Sequence, residues 1–276
     1  MRHRHLALAL ATTLVVAHAA NAGEREDLRS ADAVRVLRQI QAVPESAIPD
    51  RLLDHAQGIV VIPGTIKAGF IFGGRRGLGL MAVKTPQGTW SNPVFVKLSG
   101  LSVGLQAGAQ SSDVVLAFAS QRGLDTIVNG KFTIGADAGV AAGPIGRSAS
   151  AATDADFGAE IFSWSRSRGL FAGVALDGAV LQIDHGANRS TYGDGVTPRA
   201  VFEGRAPQAP SAAVVAFRDA LEEASASARS AQARREAGQQ AAGAPAAGTT
   251  VTPAPTPAIT SEPLPPPKPA TTTPLP

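Results

Sequence analysis

The chain has 276 residues, with no cysteine, 29 glycines and only 5% aromatic residues. The lack of cysteine excludes disulfides, thiolate metal sites and cysteine nucleophiles. Lys+Arg 25 against Asp+Glu 22 gives a formal net charge of +3. The sequence shows no concentrated basic face, so a nucleic acid is not expected as a partner.

Residues 1–22 have the three-part layout of a secretory signal peptide. Arg2 and Arg4 form a basic start, Leu6–Ala17 is apolar, and small residues follow up to Ala22. The apolar run is shorter than the roughly 20 residues that span a bilayer. We therefore predict cleavage after Ala22 and export to the periplasm or cell envelope. Loss of the two arginines leaves 23 Lys+Arg against 22 Asp+Glu, a net charge of +1.

The mature chain opens with a predicted amphipathic helix over residues 26–43. Val36, Leu37 and Ile40 fall on one arc at 100° per residue. Pro44 ends the helix, because proline lacks the N–H and disfavours helix before it. A second short helix is predicted over residues 49–57.

From Gly58 onwards the pattern is typical of strands separated by turns. The predicted strands are Gly58–Ile62, Lys67–Gly73, Leu78–Lys84, Pro93–Ala107, Val114–Phe118, Lys131–Ala142, Ser148–Thr153, Ala159–Ser165 and Leu170–Asp184. Two of them, Pro93–Ala107 and Leu170–Asp184, alternate bulky apolar residues with small ones. A small face allows a backbone or a ligand to approach closely, so tight sheet packing and a ligand groove are both open.

The C-terminal part is predicted to be a helix over residues 211–236 followed by a tail. Residues 238–276 are rich in Pro, Ala and Thr and cannot bury enough apolar surface to fold. Leu264–Pro269 favours polyproline II and could contact a protein partner. The predicted organisation is a domain over 23–205, a C-terminal helix within 206–237 and a disordered tail over 238–276. The predicted class is α+β, with an antiparallel glycine-rich sheet or partial barrel flanked by N-terminal helices and the C-terminal helix.

Several glycine-rich blocks together resemble the SYLF family, in family order over roughly residues 30–195. The blocks are Lys67–Gly74 with Gly77–Met81, Gly88–Gly100, Gln106–Val115, Gly135–Arg147 and Ser163–Gly173. The resemblance implies a lipid-binding module, because eukaryotic relatives bind phosphoinositide membranes and yeast endocytic members also bind actin. We therefore expect this chain to bind anionic phospholipid, or a phosphoinositide-like headgroup, without catalysis and without a cofactor.

A lipid headgroup requires cations or clustered N–H donors. Cations beside glycine-rich turns are therefore the predicted headgroup contacts: Lys67, Arg75, Arg76, Arg147, Arg166 and Arg168. Arg35 and Arg38 flank the apolar arc of the first helix and are predicted to face a membrane.

Two other functions stay open. The first is a protein-interaction or scaffold module that uses the C-terminal helix and the Pro-rich tail, as the actin-binding relatives imply. The second is a serine hydrolase, because Ser102 lies in a G-x-S-x-G pattern and is followed by Asp184 and His185. No metal site is predicted, since Asp154, Asp156 and Glu160 do not have the spacing of a calcium loop.

Overall fold

The computed structural model describes residues 23–43, 47–69, 72–103, 108–143, 159–167, 170–174, 176 and 178–243. The helices are α1 (residues 23–42), α2 (Asp50–His55), α3 (Gln121–Asn129), α4 (His185–Tyr192), α5 (Pro198–Phe202) and α6 (Ala212–Gly243). The strands are β1 (Gly58–Gly69), β2 (Phe72–Val83), β3 (Val94–Val103), β4 (Gly108–Phe118), β5 (Lys131–Thr133), β6 (Val140–Ala142), β7 (Ile161–Ser167), β8 (Leu170–Gly173) and β9 (Val180–Ile183). The predicted signal peptide and residues 244–276 of the predicted tail lie outside the described residues.

The nine strands form one sheet in the order β5-β9-β3-β2-β1-β4-β7-β6, with β8 paired to β7. The pairs are antiparallel except for β6 and β7, which run parallel. The predicted α+β class, with its glycine-rich sheet and helices at both ends of the domain, is confirmed. The parallel pair is the one departure from an antiparallel sheet.

Strand β1 runs through the centre of the sheet, between β2 and β4. Ile59–Ile62 are fully buried, which explains their continuous apolar run, since alternation is expected only where one face meets water. The apolar arc of α1, with Val36, Leu37 and Ile40, is buried in the same core. Burial of an arc of this kind is what stabilises an amphipathic helix.

A β-bulge interrupts β1 at Pro63 and Gly64. Between the paired positions Val61 and Ile66, β1 uses one more residue than the facing segment of β2. The pairing with β4 shifts at the same place. Pro63 has no N–H for the ladder and is tolerated in a central strand only at such a bulge. Gly64 has φ 54, a conformation that favours glycine.

The carboxylate of Asp113 on β4 braces this bulge. The Gly64 N–H donates to Asp113 Oδ1 at 2.9 Å, so the bulged backbone has a partner. Arg166 on β7 donates from Nε to Asp113 Oδ2 at 2.8 Å. The side chains of Asp113 and Arg166 are only 11% and 18% exposed. One carboxylate therefore joins three strands.

Helix α4 is fixed to the start of β3. The Asn188 side chain accepts from the Phe95 N–H at 2.9 Å and donates to the Phe95 carbonyl oxygen at 2.9 Å. The Tyr192 hydroxyl donates to the Pro93 carbonyl oxygen at 2.5 Å. Burial raises the pKa of Tyr192. These contacts satisfy backbone groups that would otherwise be unpaired inside the domain.

Helix α6 is fixed by the segment after β2. The Trp90 indole N–H donates to Ser225 Oγ at 2.8 Å, and Arg218 donates to the Asn92 side chain at 3.0 Å. The helix extends to Gly243, several residues beyond the predicted end. The residues after Gly238 are Gln and Ala, which have high helix propensity and continue the helix.

Three helices were not predicted, although two carried signals. Residues Gln121–Gly123, which lie between two predicted strands, form the first turn of α3. Asp184 caps α4 by accepting from the Ala187 N–H. Thr197 caps α5, with Pro198 at its first position, the combination expected at a helix start.

Each of two long predicted strands corresponds to two short strands in the structure. Gly135 (φ 88) breaks 131–142 and Gly178 (φ 75) breaks 170–184. The prediction for Lys67–Gly73 was also wrong, because β1 ends at Gly69 and β2 starts at Phe72. The predicted strand at 148–153 lies outside the described residues.

The small faces of the two unusual strands serve packing at the positions that the structure describes. A Cβ added to Gly100 would lie 3.2 Å from Ala179 Cα, and one added to Gly173 would lie 2.4 Å from the Gly143 carbonyl oxygen. Backbone thus occupies the space that a side chain would need. The sequence left tight sheet packing and a ligand groove both open. At Gly100 and Gly173 the structure shows tight packing.

The brace at Asp113 predicts a large stability effect. Asp113→Ala leaves Arg166 without its carboxylate and the Gly64 N–H without an acceptor, and is expected to lower the free energy of unfolding by about 2–3 kcal/mol. Urea denaturation measures it. Asp32→Ala, which breaks the exposed pair with Arg35, is the matched control and is expected to cost less than about 1 kcal/mol. Equal losses in the two variants would contradict the brace.

Candidate functional site

The structure describes four of the six residues predicted to contact a headgroup. Lys67, Arg75, Arg76 and Arg166 are described, and Arg147 and Arg168 lie outside the described residues. The four lie at the bulge of β1 or on the part of the sheet beyond it, but they do not share one face.

Lys67 and Arg75 are directly opposite each other on β1 and β2, with Cβ atoms about 5 Å apart. Arg75 also pairs with Gly100, and position 100 faces Ala179, so both cations lie on the inward face. Burial lowers the pKa of Arg75. Among the described residues its guanidinium has no hydrogen-bond or ion-pair partner. Opposed like charges destabilise a sheet, which makes this pair a candidate anion site.

Arg76 lies on the opposite face. It pairs with Ile66 on β1 and Ser99 on β3, and all three side chains are exposed. Because the sheet lies between Arg76 and the pair of Lys67 and Arg75, one small anion cannot contact all three. The predicted headgroup residues therefore divide into two surfaces.

Arg166 already has a partner inside the domain. Besides its hydrogen bonds to Asp113, its guanidinium lies 5.3 Å from the centre of the Phe171 ring, within the range of a cation–π contact. The charge of Arg166 thus stabilises the fold. Its contact with a headgroup stays a prediction.

Arg35 and Arg38 lie on the solvent side of α1. Arg35 pairs with Asp32 at 2.9 Å. Arg38 lines a cleft of about 360 Å³ between α1, α2 and α6. The apolar arc of α1 is inside the core, so membrane contact by α1 stays a prediction that depends on its charged side alone.

The structure separates the three residues of the predicted hydrolase. Gly100–Val103 is regular strand paired with β2. The Asp184 N–H donates to the Phe95 carbonyl oxygen at 2.9 Å, seven residues before Ser102 on β3. At about 3.3 Å per residue, Ser102 lies roughly 20 Å from Asp184 and His185, too far for a catalytic triad.

The described residues offer neither a metal centre nor a membrane span. Nowhere among them do three His, Asp or Glu side chains come together to hold a metal ion. No described helix has the length and apolar character required to cross a bilayer. Asp154 and Asp156, which the sequence analysis weighed as calcium ligands, lie outside the described residues.

Sequence reasoning missed a charge asymmetry that was visible in the sequence. Between Asp54 and Asp113 there is no acidic residue. The cations of this stretch are Lys67, Arg75, Arg76, Lys84 and Lys97. The stretch builds β1–β3 and the start of β4. Reasoning from the sequence also missed that Ile66 and Leu101 are exposed, because alternation shows which residues share a face but not which face is covered.

Comparison with known proteins identifies a family. Residues 99–224 match the family described as "Ysc84: Las17-binding protein actin regulator". This region begins near the end of β3 and includes β4 to β9 and the start of α6. The match therefore covers much of the sheet as well as helices α3 to α5.

Curated relatives agree with this match. An SH3 domain-containing protein of Schizosaccharomyces pombe is 40% identical over 177 residues, 63% of this chain and 41% of that protein. LAS seventeen-binding protein 3 of Saccharomyces cerevisiae is 36% identical over 170 residues, 60% of this chain and 37% of that protein. SH3 domain-containing YSC84-like protein 1 of Homo sapiens is 31% identical over 182 residues, 64% of this chain and 53% of that protein. The matched region spans about two fifths to a half of these relatives.

The unpaired Arg75 predicts a stabilising substitution. Arg75→Met keeps the length of the side chain and removes a half-buried charge opposite Lys67, so the free energy of unfolding is expected to rise by about 0.5–1 kcal/mol. Urea denaturation measures it. Arg76→Met, on the exposed face, is the control and is expected to change stability by less than about 0.5 kcal/mol. A clear loss of stability in Arg75→Met would show that the charge has a partner inside the domain.

Proposed function

The chain belongs to the Ysc84 (SYLF) domain family, and on that premise we propose that it is a non-enzymatic binding protein whose folded domain recognises a protein partner. The observation that carries this proposal is the match of residues 99–224 to a family described as a Las17-binding actin regulator. A relative named for binding LAS seventeen supports it.

The geometry supports a binding role over a catalytic one. Ser102, the candidate nucleophile, lies far from the nearest predicted base, and its strand has regular pairing with β2. A nucleophile elbow requires a sharp turn directly at the serine. We therefore infer that the G-x-S-x-G spacing is a sheet pattern with no catalytic role.

A second candidate function is binding of anionic phospholipid, and one specific observation favours it. Lys67 and Arg75 are opposed like charges on the inward face, and Arg75 is half-buried without a partner among the described residues. A phosphate group between them would remove their repulsion and satisfy their N–H donors. This pair, rather than all six predicted cations, is the headgroup site that we propose.

The proposed cellular setting rests on the sequence. The layout of residues 1–22 supports export, so we propose that the mature protein begins at Gly23 and acts in the periplasm or at the cell envelope. Its partner there would be an envelope protein, so actin and Las17 serve below as probes of the binding surface and not as the partners in that compartment. The Pro-rich tail, with Leu264–Pro269, is proposed as a further contact for a protein partner.

The first prediction concerns protein binding by purified residues 23–276. Actin filaments in a sedimentation assay and immobilised Las17 are the two probes, because the family description names both. Binding to at least one is expected, and a chain ending at Gly243 is expected to retain it, because the domain lies before that residue. Binding lost with residues 244–276 would assign the interaction to the tail. No binding to either probe would contradict the proposal.

The second prediction concerns lipid. Vesicles with anionic lipid are expected to bind the chain at low salt and to bind it more weakly at high salt, because salt screens surface charges. Neutral vesicles are not expected to bind it. Lys67→Ala with Arg75→Ala should weaken binding about thirtyfold if each cation contributes about 1 kcal/mol. Arg35→Ala with Arg38→Ala is the matched control on α1. A larger loss in the control would move the lipid contact to α1.

A further inference from the structure

The outward face of the sheet beyond the bulge is exposed and apolar. Leu101 on β3 is 91% exposed and Ile66 on β1 is 55% exposed. Ala68 on β1 is exposed as well, and Arg76 lies on the same face. An isolated exposed apolar residue needs no explanation, but several on one sheet face indicate an interaction site.

The register shows how these residues are arranged. Ile66 is opposite Arg76, and in the next row Ala68 and Leu101 are both opposite Gly74. Nothing lies within 4 Å of a Cβ added at Gly74, so this row of the face has an open gap, without a side chain, between Ala68 and Leu101, which we call the recess. We call Ile66, Ala68, Gly74, Arg76 and Leu101 the outer sheet face.

The charge of this face is of one sign. Arg76 has no ion pair with any described residue, and Lys97 lies on the same strand face as Ser99 and Leu101. Asp113, the nearest acid along β4, is neutralised by Arg166. A partner of opposite charge would therefore gain contacts that the domain itself does not supply.

We propose that the outer sheet face is the docking surface for the protein partner, and that this partner presents an apolar side chain to the recess at Gly74 beside a carboxylate for Arg76. The inference rests on the proposed protein-binding function and assigns it to a surface. An Arg next to an apolar pocket is a frequent centre of binding energy in protein interfaces.

Two other occupants fit less well. A second copy related by twofold symmetry would place like charges around Arg76 near each other, which opposes self-association. A lipid surface binds apolar groups that project into it, whereas Gly74 forms a recess between its neighbours. The exposed hydroxyls of Ser99 and Ser111 on the same face add directional hydrogen bonding, which suits a protein surface.

The test uses the actin-filament and Las17 assays with three variants of the mature chain. Leu101→Ser removes the apolar rim, Arg76→Glu reverses the charge, and Gly74→Val fills the recess. Gly74→Val should not harm the fold, because the space is open and valine favours strands. Each variant is expected to bind at least about tenfold more weakly, since truncating a central contact commonly costs more than about 1.4 kcal/mol.

The controls are Leu28→Ser, at a leucine of α1 that is 62% exposed, and Lys131→Glu on the edge strand β5. Both are expected to bind like the unaltered chain, and urea midpoints confirm that all variants fold. If the unaltered chain binds and the three face variants bind equally well, the surface assignment is wrong while the proposed function stands. If the unaltered chain binds neither probe, both the surface assignment and the proposed function are contradicted. If the face variants lose only binding to anionic vesicles, the occupant is a membrane and the proposal of a protein partner is overturned.

Discussion

The bulge at Pro63 and Gly64 determines how the exposed half of the sheet is used. A strand alternates its side chains between two faces, and one additional residue reverses that alternation for everything that follows. Beyond the bulge, Thr65 and Lys67 face inward while Ile66 and Ala68 face outward. The contact of the Gly64 N–H with Asp113 holds the bulge in place. The faces of the β1 residues beyond the bulge depend on it.

Two surfaces of different character result from this arrangement. The inward surface has two opposed cations with no ion-pair partner among the residues that the structure describes, a condition that a domain retains at a cost in stability. The outward surface has exposed apolar side chains, a recess and an unpaired Arg76. These surfaces lie back to back on the same strands, so a change in the phase of β1 beyond the bulge would exchange Ile66 and Ala68 with Thr65 and Lys67. For the proposed binding role, the sheet offers a separate place for each kind of partner.

The sequence was sufficient for the class of fold, most of the strands near the centre of the sheet and the helices at both ends. It also identified Lys67, Arg75 and Arg76 as functional candidates. It did not reveal the bulge, because Pro63-Gly64 ends a strand far more often than it interrupts one. For that reason the cations were grouped as one site, although neighbouring residues such as Arg75 and Arg76 point to opposite faces. Arg166 could not be assigned to Asp113 without the register between β4 and β7, which is a long-range property.

Chemical labelling of single cysteines tests the central claim, which is the phase of the strands beyond the bulge. The chain has no cysteine of its own, so each introduced thiol reports on one position. Thr65→Cys, Ile66→Cys, Arg75→Cys and Arg76→Cys would be reacted with a maleimide in the folded protein and in urea. The account predicts rates at positions 66 and 76 close to those of the unfolded chain, and much slower rates at positions 65 and 75. Fast labelling at 65 and 75 with slow labelling at 66 and 76 would show that the strands have the opposite phase and would contradict the account.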